Sequence, residues 1–77
     1  SSNRILGITL YSKLSAETLL ILLKKYKILS NFKETPMYCI SDRVAKPLRQ
    51  KKFKHIYVAS KPNQKSLIVS IKKSHFV

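Results

Sequence analysis

Acidic residues and glycine are scarce in this 77-residue chain, which has three Asp or Glu residues and one glycine. Phosphate-binding loops need several glycines for close backbone approach, so Gly7 alone excludes nucleotide binding of the P-loop or Rossmann kind. Glu17, Glu34 and Asp42 offer no obvious carboxylate pair for acid–base catalysis. Any chemistry is therefore expected to work by binding and orientation.

Cysteine is almost absent, since Cys39 is the only one. It lies inside an apolar run, so no internal disulfide can form, a reducing cytoplasm is the expected compartment, and a buried structural role is favoured over a nucleophilic one. His55 and His75 lack metal-ligand spacing with Cys39 or the acids, so no metal is predicted. No apolar run approaches the ~18 residues of a membrane span, and no membrane partner is expected.

Positive charge is what the chain has in excess, with 16 Lys and Arg residues and a net charge of +13. Nucleic acid, an anionic membrane surface or an acidic small molecule would suit this charge, and a Lys-rich codon usage would produce it without any ligand. Lysine outnumbers arginine, the residue suited to bidentate contacts. This imbalance favours codon usage over a specific ligand as the explanation of the charge. Nonspecific polyanion binding is expected on either explanation.

Three apolar runs of strand length alternate with three segments of helical periodicity. Strands are predicted at 5–11, 37–40 and 56–59, and helices at 16–26, about 42–52 and 63–73. This order predicts an α/β fold with a small three-stranded parallel sheet in βαβαβα order, its strands covered on both faces. The length allows one domain, a single partial α/β lobe spanning 1–77, whose residues 1–3 resemble a cloning scar.

The helical segments carry their own signals. Ser15 is the predicted N-cap of the first helix, with Glu17 in its first turn, and Asn63 is the predicted cap of the third. Pro47 conflicts with the second helix, because an interior proline costs about 3 kcal/mol, so that helix either starts late or is kinked. Leu67, Ile68 and Ile71 form the predicted buried face of the third helix. Three apolar residues lie off the main stripes and leave surface for a partner: Ile21, Leu22 and Val69.

Each strand runs into its helix through a serine, namely Ser12, Ser41 or Ser60. In a parallel sheet these junctions share the carboxyl edge, where ligands bind and helix N-termini attract carboxylates and phosphates. Serine is also an ordinary N-cap, so an anion site and simple capping both stay open. Placement at this edge adds further candidates: Ser15, Arg43 and Lys61.

The main lysine clusters fall at the helix C-termini, which is the opposite edge of the sheet. There they complement the helix dipoles, each by about 0.3–1 kcal/mol. Most of the positive charge is therefore remote from the expected pocket. The clusters are Lys24, Lys25 and Lys27, then Lys51, Lys52 and Lys54, then Lys72 and Lys73.

Three stretches together resemble the C-terminal half of uroporphyrinogen-III synthase in order and spacing. LYSKLSAETLLILLKKY looks like that family's strand, serine and helix start; PMYCISDRVAKPLRQKKF looks like its ISxRVAxxLRxxGF stretch; HIYVASKPNQKSLIVSIKK is similar to its VxVAxxPTxxALxxAI ending. The resemblance implies part of a flavodoxin-like lobe. It also implies a cofactor-free lyase of haem biosynthesis, which closes hydroxymethylbilane into uroporphyrinogen III with the acidic linear tetrapyrrole held between two lobes.

Carried over position by position, the resemblance implies a set of substrate contacts: Ser12, Ser41, the backbone N–H of Val44, Ser60 and Asn63. Val44 and Asn63 stand where the family often has threonine, and Lys52 stands where it usually has glycine before an aromatic residue. About one lobe is present, without the usual first strand. The resemblance therefore implies a fragment that is inactive alone and that a missing N-terminal lobe or a second copy, in a homodimer, would complete.

Two other classes of function compete with the synthase interpretation. A small basic nucleic-acid-binding module would use the stretch KKFKHIYV, where Phe53 and Tyr57 could stack bases. A non-catalytic structural α/β subunit would bind neither ligand.

Overall fold

The computed structural model describes the backbone of residues 7–76 and the side chains of residues 7–73. Within that range the strands are β1 (Ile8–Leu10), β2 (Met37–Cys39) and β3 (Ile56–Val58), and the α-helices are α1 (Lys13–Lys25), α2 (Asp42–Gln50) and α3 (Gln64–Phe76). A short 3-10 helix at Leu29–Phe32, which no sequence signal predicted, leads from α1 towards β2. The start of the first predicted strand, residues 1–3 and the side chain of His75 lie outside the described residues.

The three strands pair side by side in chain order, and both pairings are parallel. The predicted α/β fold, a small three-stranded parallel sheet in βαβαβα order, is confirmed. Each strand ends one residue earlier than predicted. Coverage of both faces is complete for β2, which is buried throughout, but not for β1, where Thr9 is exposed.

The two faces of the sheet pack against different helices, because successive strand side chains point to opposite sides. Leu10, Met37 and Cys39 share one core with side chains of α1 and α2. On the other face Tyr38 packs in a smaller cluster with Leu67 of α3. The chain therefore has three layers, with α1 and α2 on one side of the sheet and α3 on the other.

Helix α1 begins three residues earlier than predicted, because Ser12 rather than Ser15 caps it. The backbone N–H of Ser15 donates to Oγ of Ser12 at 3.0 Å, and the two hydroxyl oxygens lie 2.8 Å apart. Ser15 is therefore a first-turn residue. Glu17, which was expected in that turn, is the fifth residue of the helix.

Helix α2 begins at Asp42, as predicted, and Pro47 is its sixth residue, so the alternative of a late start is wrong. The proline ring is buried, and its nitrogen cannot donate the hydrogen bond that the carbonyl of Arg43 would otherwise accept. Burial of one face of α2 against the sheet and α1 supplies the packing that a nine-residue helix needs.

Helix α3 is capped as predicted, since the backbone N–H of Ser66 donates to Oδ1 of Asn63 at 2.8 Å. Leu67 is fully buried and Ile71 packs beside it, but Ile68 is 43% exposed, so its predicted burial is wrong. Leu67 and Ile71 are one helical turn apart and form the contact stripe, whereas Ile68 is rotated about 100° away from Leu67.

A lysine with left-handed backbone lies two residues beyond the end of both α1 and α2, namely Lys27 at φ 59° and Lys52 at φ 60°. The next residue closes the turn, so that the N–H of Ile28 reaches the carbonyl of Leu23 at 2.9 Å. The same bond pattern follows Lys52, and it is the Schellman motif, in which glycine is favoured at the left-handed position. A side chain there costs roughly 1 kcal/mol.

Candidate functional site

The three junction serines lie in one row at the carboxyl edge of the sheet. The last residues of the strands are aligned with one another in the parallel register: Leu10, Cys39 and Val58. Ser12, Ser41 and Ser60 each follow their strand end by two residues. Because neighbouring strands are about 4.8 Å apart, this register brings the three junctions close together.

The N-terminus of α2, in the middle of this row, is left open. Ser41 has the extended backbone of an N-cap, but its side chain makes no capping hydrogen bond. The first N–H engaged by the helix is that of Ala45, which donates to the carbonyl of Ser41 at 3.2 Å. The N–H groups of residues 42–44 are therefore directed to the carboxyl edge without a capping side chain, an arrangement that an anion would complete.

The other two helix starts are already capped by side chains. Oγ of Ser12 accepts from the first turn of α1, and Oδ1 of Asn63 accepts from the first turn of α3. The capping interpretation is therefore correct for Ser12. Ser60 is exposed and stands three residues before the cap of α3.

Val44, Arg43 and Lys61 bring different groups to the edge. Val44 is 3% exposed and its side chain belongs to the core, so its backbone N–H is the only group it could offer a ligand. Arg43 and Lys61 are exposed beside the starts of α2 and α3 and supply positive charge. Asp42 carries an opposing charge, which is partly compensated because its Oδ1 lies 2.9 Å from Nη2 of Arg49.

Ser60 also lines two shallow grooves beside α3. One, of about 360 Å³, includes Lys61 and Asn63; the other, of about 280 Å³, runs between β3 and α3. The second groove adds polar residues that the sequence interpretation missed: Ser66, Ser70 and Lys73. Their spacing of four and three residues was the available signal, since it places them on one helical face. Ser15 is separated from these grooves and lines another on the outer side of α1.

A thiol nucleophile is excluded at this site. Cys39 is fully buried in the central strand, and burial raises the pKa of its thiol to about 11, although the charge of Arg49 acts in the opposite direction. Its thiolate is therefore negligible at neutral pH, and the predicted structural role is confirmed.

The acid at the opposite edge also has a structural partner. Oε2 of Glu34 lies 2.5 Å from Nζ of Lys54, and this hydrogen bond is the main reason that the pKa of Glu34 is lowered. Nε2 of His55, just before β3, lies 3.7 Å from Oε1 of the same carboxylate. Among the side chains that the structure describes, no three His, Cys, Asp or Glu residues converge on a possible metal position.

The serine junctions all fall within one family match. The protein-family model described as uroporphyrinogen-III synthase HemD matches residues 1–69. The chain belongs to the uroporphyrinogen-III synthase family. No curated protein and no solved structure matches it. No helix in the described range is long and apolar enough to cross a membrane.

The structure shows what one departure from the synthase family's pattern involves. Lys52 occupies the position where the similar family stretch usually has glycine, and its left-handed backbone shows why glycine is suited to that position. The following aromatic residue, Phe53, is buried beneath the turn.

The two rings of the nucleic-acid hypothesis differ in their accessibility. Phe53 is buried in the core. Tyr57 is half-buried, and its ring stacks on that of Tyr38 with centroids 5.3 Å apart and an interplanar angle of 18°. The prediction of base stacking is therefore wrong for Phe53, whereas for Tyr57, which lines the groove between β3 and α3, it stays a prediction.

Proposed function

We propose that this chain binds the carboxylates of an acidic linear tetrapyrrole at its carboxyl edge, as the C-terminal lobe of a uroporphyrinogen-III synthase-like lyase. The family match supports the reaction class, in which hydroxymethylbilane closes to uroporphyrinogen III with inversion of the last pyrrole ring. The observation that carries the proposal is the open N-terminus of α2, which presents three N–H groups beside Ser41 in the centre of the serine row.

The chemistry required of these residues is binding and orientation. The N–H groups of residues 42–44 and the hydroxyl of Ser41 donate to one substrate carboxylate, and the hydroxyl of Ser60 donates to another. Arg43 and Lys61 add positive charge nearby, while Ser12 and Asn63 keep the flanking helix starts in place. A flexible tetrapyrrole held in this way has its terminal rings positioned for closure, so no cofactor is required of this chain.

The row of junctions contacts substrate from one side only. We expect a second lobe to supply the other side, either an N-terminal lobe or a second copy of this chain. Exposed apolar side chains on α1, including Ile21 and Leu22, and the uncovered Thr9 side of β1 are surfaces that such a lobe could cover. The buried, unpaired Cys39 is compatible with a reducing cytoplasm.

The isolated chain is therefore expected to bind a tetrapyrrole without converting it. The measurement is the yield of type I and type III isomers after incubation with hydroxymethylbilane, because spontaneous closure produces no ring inversion. Formation of the type III isomer by the isolated chain would contradict the requirement for a second lobe.

The substitution Ser41→Asp is expected to have opposite effects on stability and binding. The introduced carboxylate would cap α2 and raise the free energy of unfolding by about 1 kcal/mol. It would also occupy the open N–H groups and repel the ligand, so affinity for uroporphyrin, an octacarboxylate, should fall at least about tenfold, or 1.4 kcal/mol. Amide chemical-shift titration at moderate salt measures the affinity and locates the shifts.

The matched control is Ser30→Asp, which makes the same charge change on an exposed serine of the 3-10 helix. Its affinity for uroporphyrin should stay within about twofold, since exposed charges at a distance are screened. Shifts confined to the lysine clusters around Lys24, Lys51 and Lys72, or equal losses in both variants, would refute an anion site at the carboxyl edge.

A further inference from the structure

The amino edge of the sheet carries a second charged surface, which the proposed function does not use. Two groups of three exposed lysines lie at or just beyond the C-terminal ends of α1 and α2, and these helices pack side by side on one face. We call them together the amino-edge basic surface: Lys24, Lys25, Lys27, Lys51, Lys52 and Lys54.

Negative charge hardly offsets this surface. Glu34 is the one acid near it in the described part of the chain, and its carboxylate is engaged by Lys54. Glu17 and Asp42 belong to the N-terminal parts of α1 and α2, towards the other edge. The surface therefore holds a strong positive potential, which attracts an extended polyanion.

Two of the six lysines occupy positions that lower the stability of the fold. Lys27 and Lys52 hold the left-handed positions of the two Schellman turns, where glycine would relieve the strain. The helix dipoles do not require them, because Lys24 and Lys25 already lie in the last turn of α1 and Arg49 lies in that of α2. A strained residue type at two equivalent turns on one edge points to a use for the charge there.

The surface is held in a defined shape by contacts across its middle. The backbone N–H of Lys54 donates to the carbonyl of Lys33 at 3.0 Å. The ammonium of Lys33 donates to the carbonyl of Lys51 and lies 5.6 Å from the ring centroid of Phe53. These contacts fix the segment after α2 against the segment before β2, so the lysine backbones are ordered before any partner binds.

We propose that the amino-edge basic surface binds the sugar-phosphate backbone of single-stranded nucleic acid without sequence preference. Tyr26 lies within the first lysine group, is 64% exposed, and has Nζ of Lys25 at 5.7 Å from its ring centroid. An exposed aromatic ring among cations offers base stacking beside phosphate contacts. All six cations are lysines, which contact phosphate as point charges, whereas arginine would favour reading of base edges.

The test distinguishes the effect of charge at this surface on oligonucleotide binding from the effect of the net charge of the chain. The double variant Lys27→Gly, Lys52→Gly removes two cations and relieves two strained turns, so its melting temperature should rise while its affinity for labelled oligothymidylate falls. With a salt slope of about −0.7 per single-strand contact, two lost contacts reduce affinity at 0.1 M salt about 25-fold. The increase in melting temperature shows that weaker binding does not arise from unfolding.

The matched control is Lys13→Gln, Lys46→Gln, which removes the same charge from exposed positions outside this surface and should weaken binding less than about threefold. Tyr26→Ala should lower affinity at least about fivefold and leave the salt slope unchanged.

Equal losses in the two double variants would show that net charge alone attracts the oligonucleotide and would overturn the proposal. Binding to anionic phosphatidylglycerol vesicles without binding to the oligonucleotide would overturn it as well. Because the two surfaces lie at opposite edges, either result leaves the tetrapyrrole proposal unaffected.

Discussion

Replacing Tyr38 with alanine is expected to lower the free energy of unfolding by about 3–5 kcal/mol. The side chain is 2% exposed and forms the centre of the smaller core, between the sheet and α3. A chain of this length has about 4–12 kcal/mol of stability in total, so a large part of it depends on this one ring. Urea unfolding followed by circular dichroism measures the change, and Tyr57→Ala, at a half-buried ring in the same stack, should cost clearly less.

The close packing of the Tyr38 ring can also be tested by a substitution at Gly7, which the ring contacts. A Cβ atom on Gly7 would lie 2.5 Å from Cε2 of Tyr38 and 3.3 Å from the carbonyl oxygen of Pro36. Gly7→Ala should therefore cost about 1–3 kcal/mol in the natural chain, because a buried ring cannot move aside. Combined with Tyr38→Ala, the same change should cost little, since the ring atoms it would meet are gone. Additive losses in the double variant would contradict close packing of the ring on Gly7.

Replacing Leu67 with alanine is the second change expected to have a large effect, about 2–5 kcal/mol. Leu67 is the fully buried residue by which α3 packs onto Tyr38 and Ala59. Because this cluster is small and separate from the main core, its loss should release α3 before the rest of the fold opens. Hydrogen exchange should then show faster exchange of α3 amides while those of α1 and α2 keep their protection.

The adjacent residue provides the control for this prediction. Ile68→Ala removes a side chain of similar size that is 43% exposed, and it should change the free energy of unfolding by no more than about 0.5 kcal/mol. If the Ile68 variant lost as much as the Leu67 variant, α3 would have to be rotated about 100° from the position described.

The two edges of the sheet use positive charge differently. At the carboxyl edge a few cations stand near open N–H groups and hydroxyls, a set of donors that suits individual carboxylates. At the amino edge many lysines stand together with one paired acid, which suits a polymer of phosphates. On these two proposals one strongly basic composition serves two separate anionic partners, and substitutions at one edge should leave ligand binding at the other edge unchanged.

Much of the architecture was determined by the sequence itself. Apolar runs and helical periodicity alternate along the chain, and this local pattern was sufficient for the parallel sheet and its βαβαβα order. Chain direction alone then placed Ser12, Ser41 and Ser60 at one edge and the helix-end lysines at the other. The order and spacing of three short stretches were sufficient to indicate the family.

The tertiary structure decided which of these residues make capping hydrogen bonds or are buried, and which stay accessible. Ser12 and Ser41 look equivalent in sequence, yet only Ser12 accepts a capping bond, because hydroxyl orientation depends on how each helix starts against the sheet. Burial of Phe53 and exposure of Ile68 follow from which helix covers which face, and that depends on strand order. Such features arise from contacts between residues distant in the chain, and local periodicity carries no information about them.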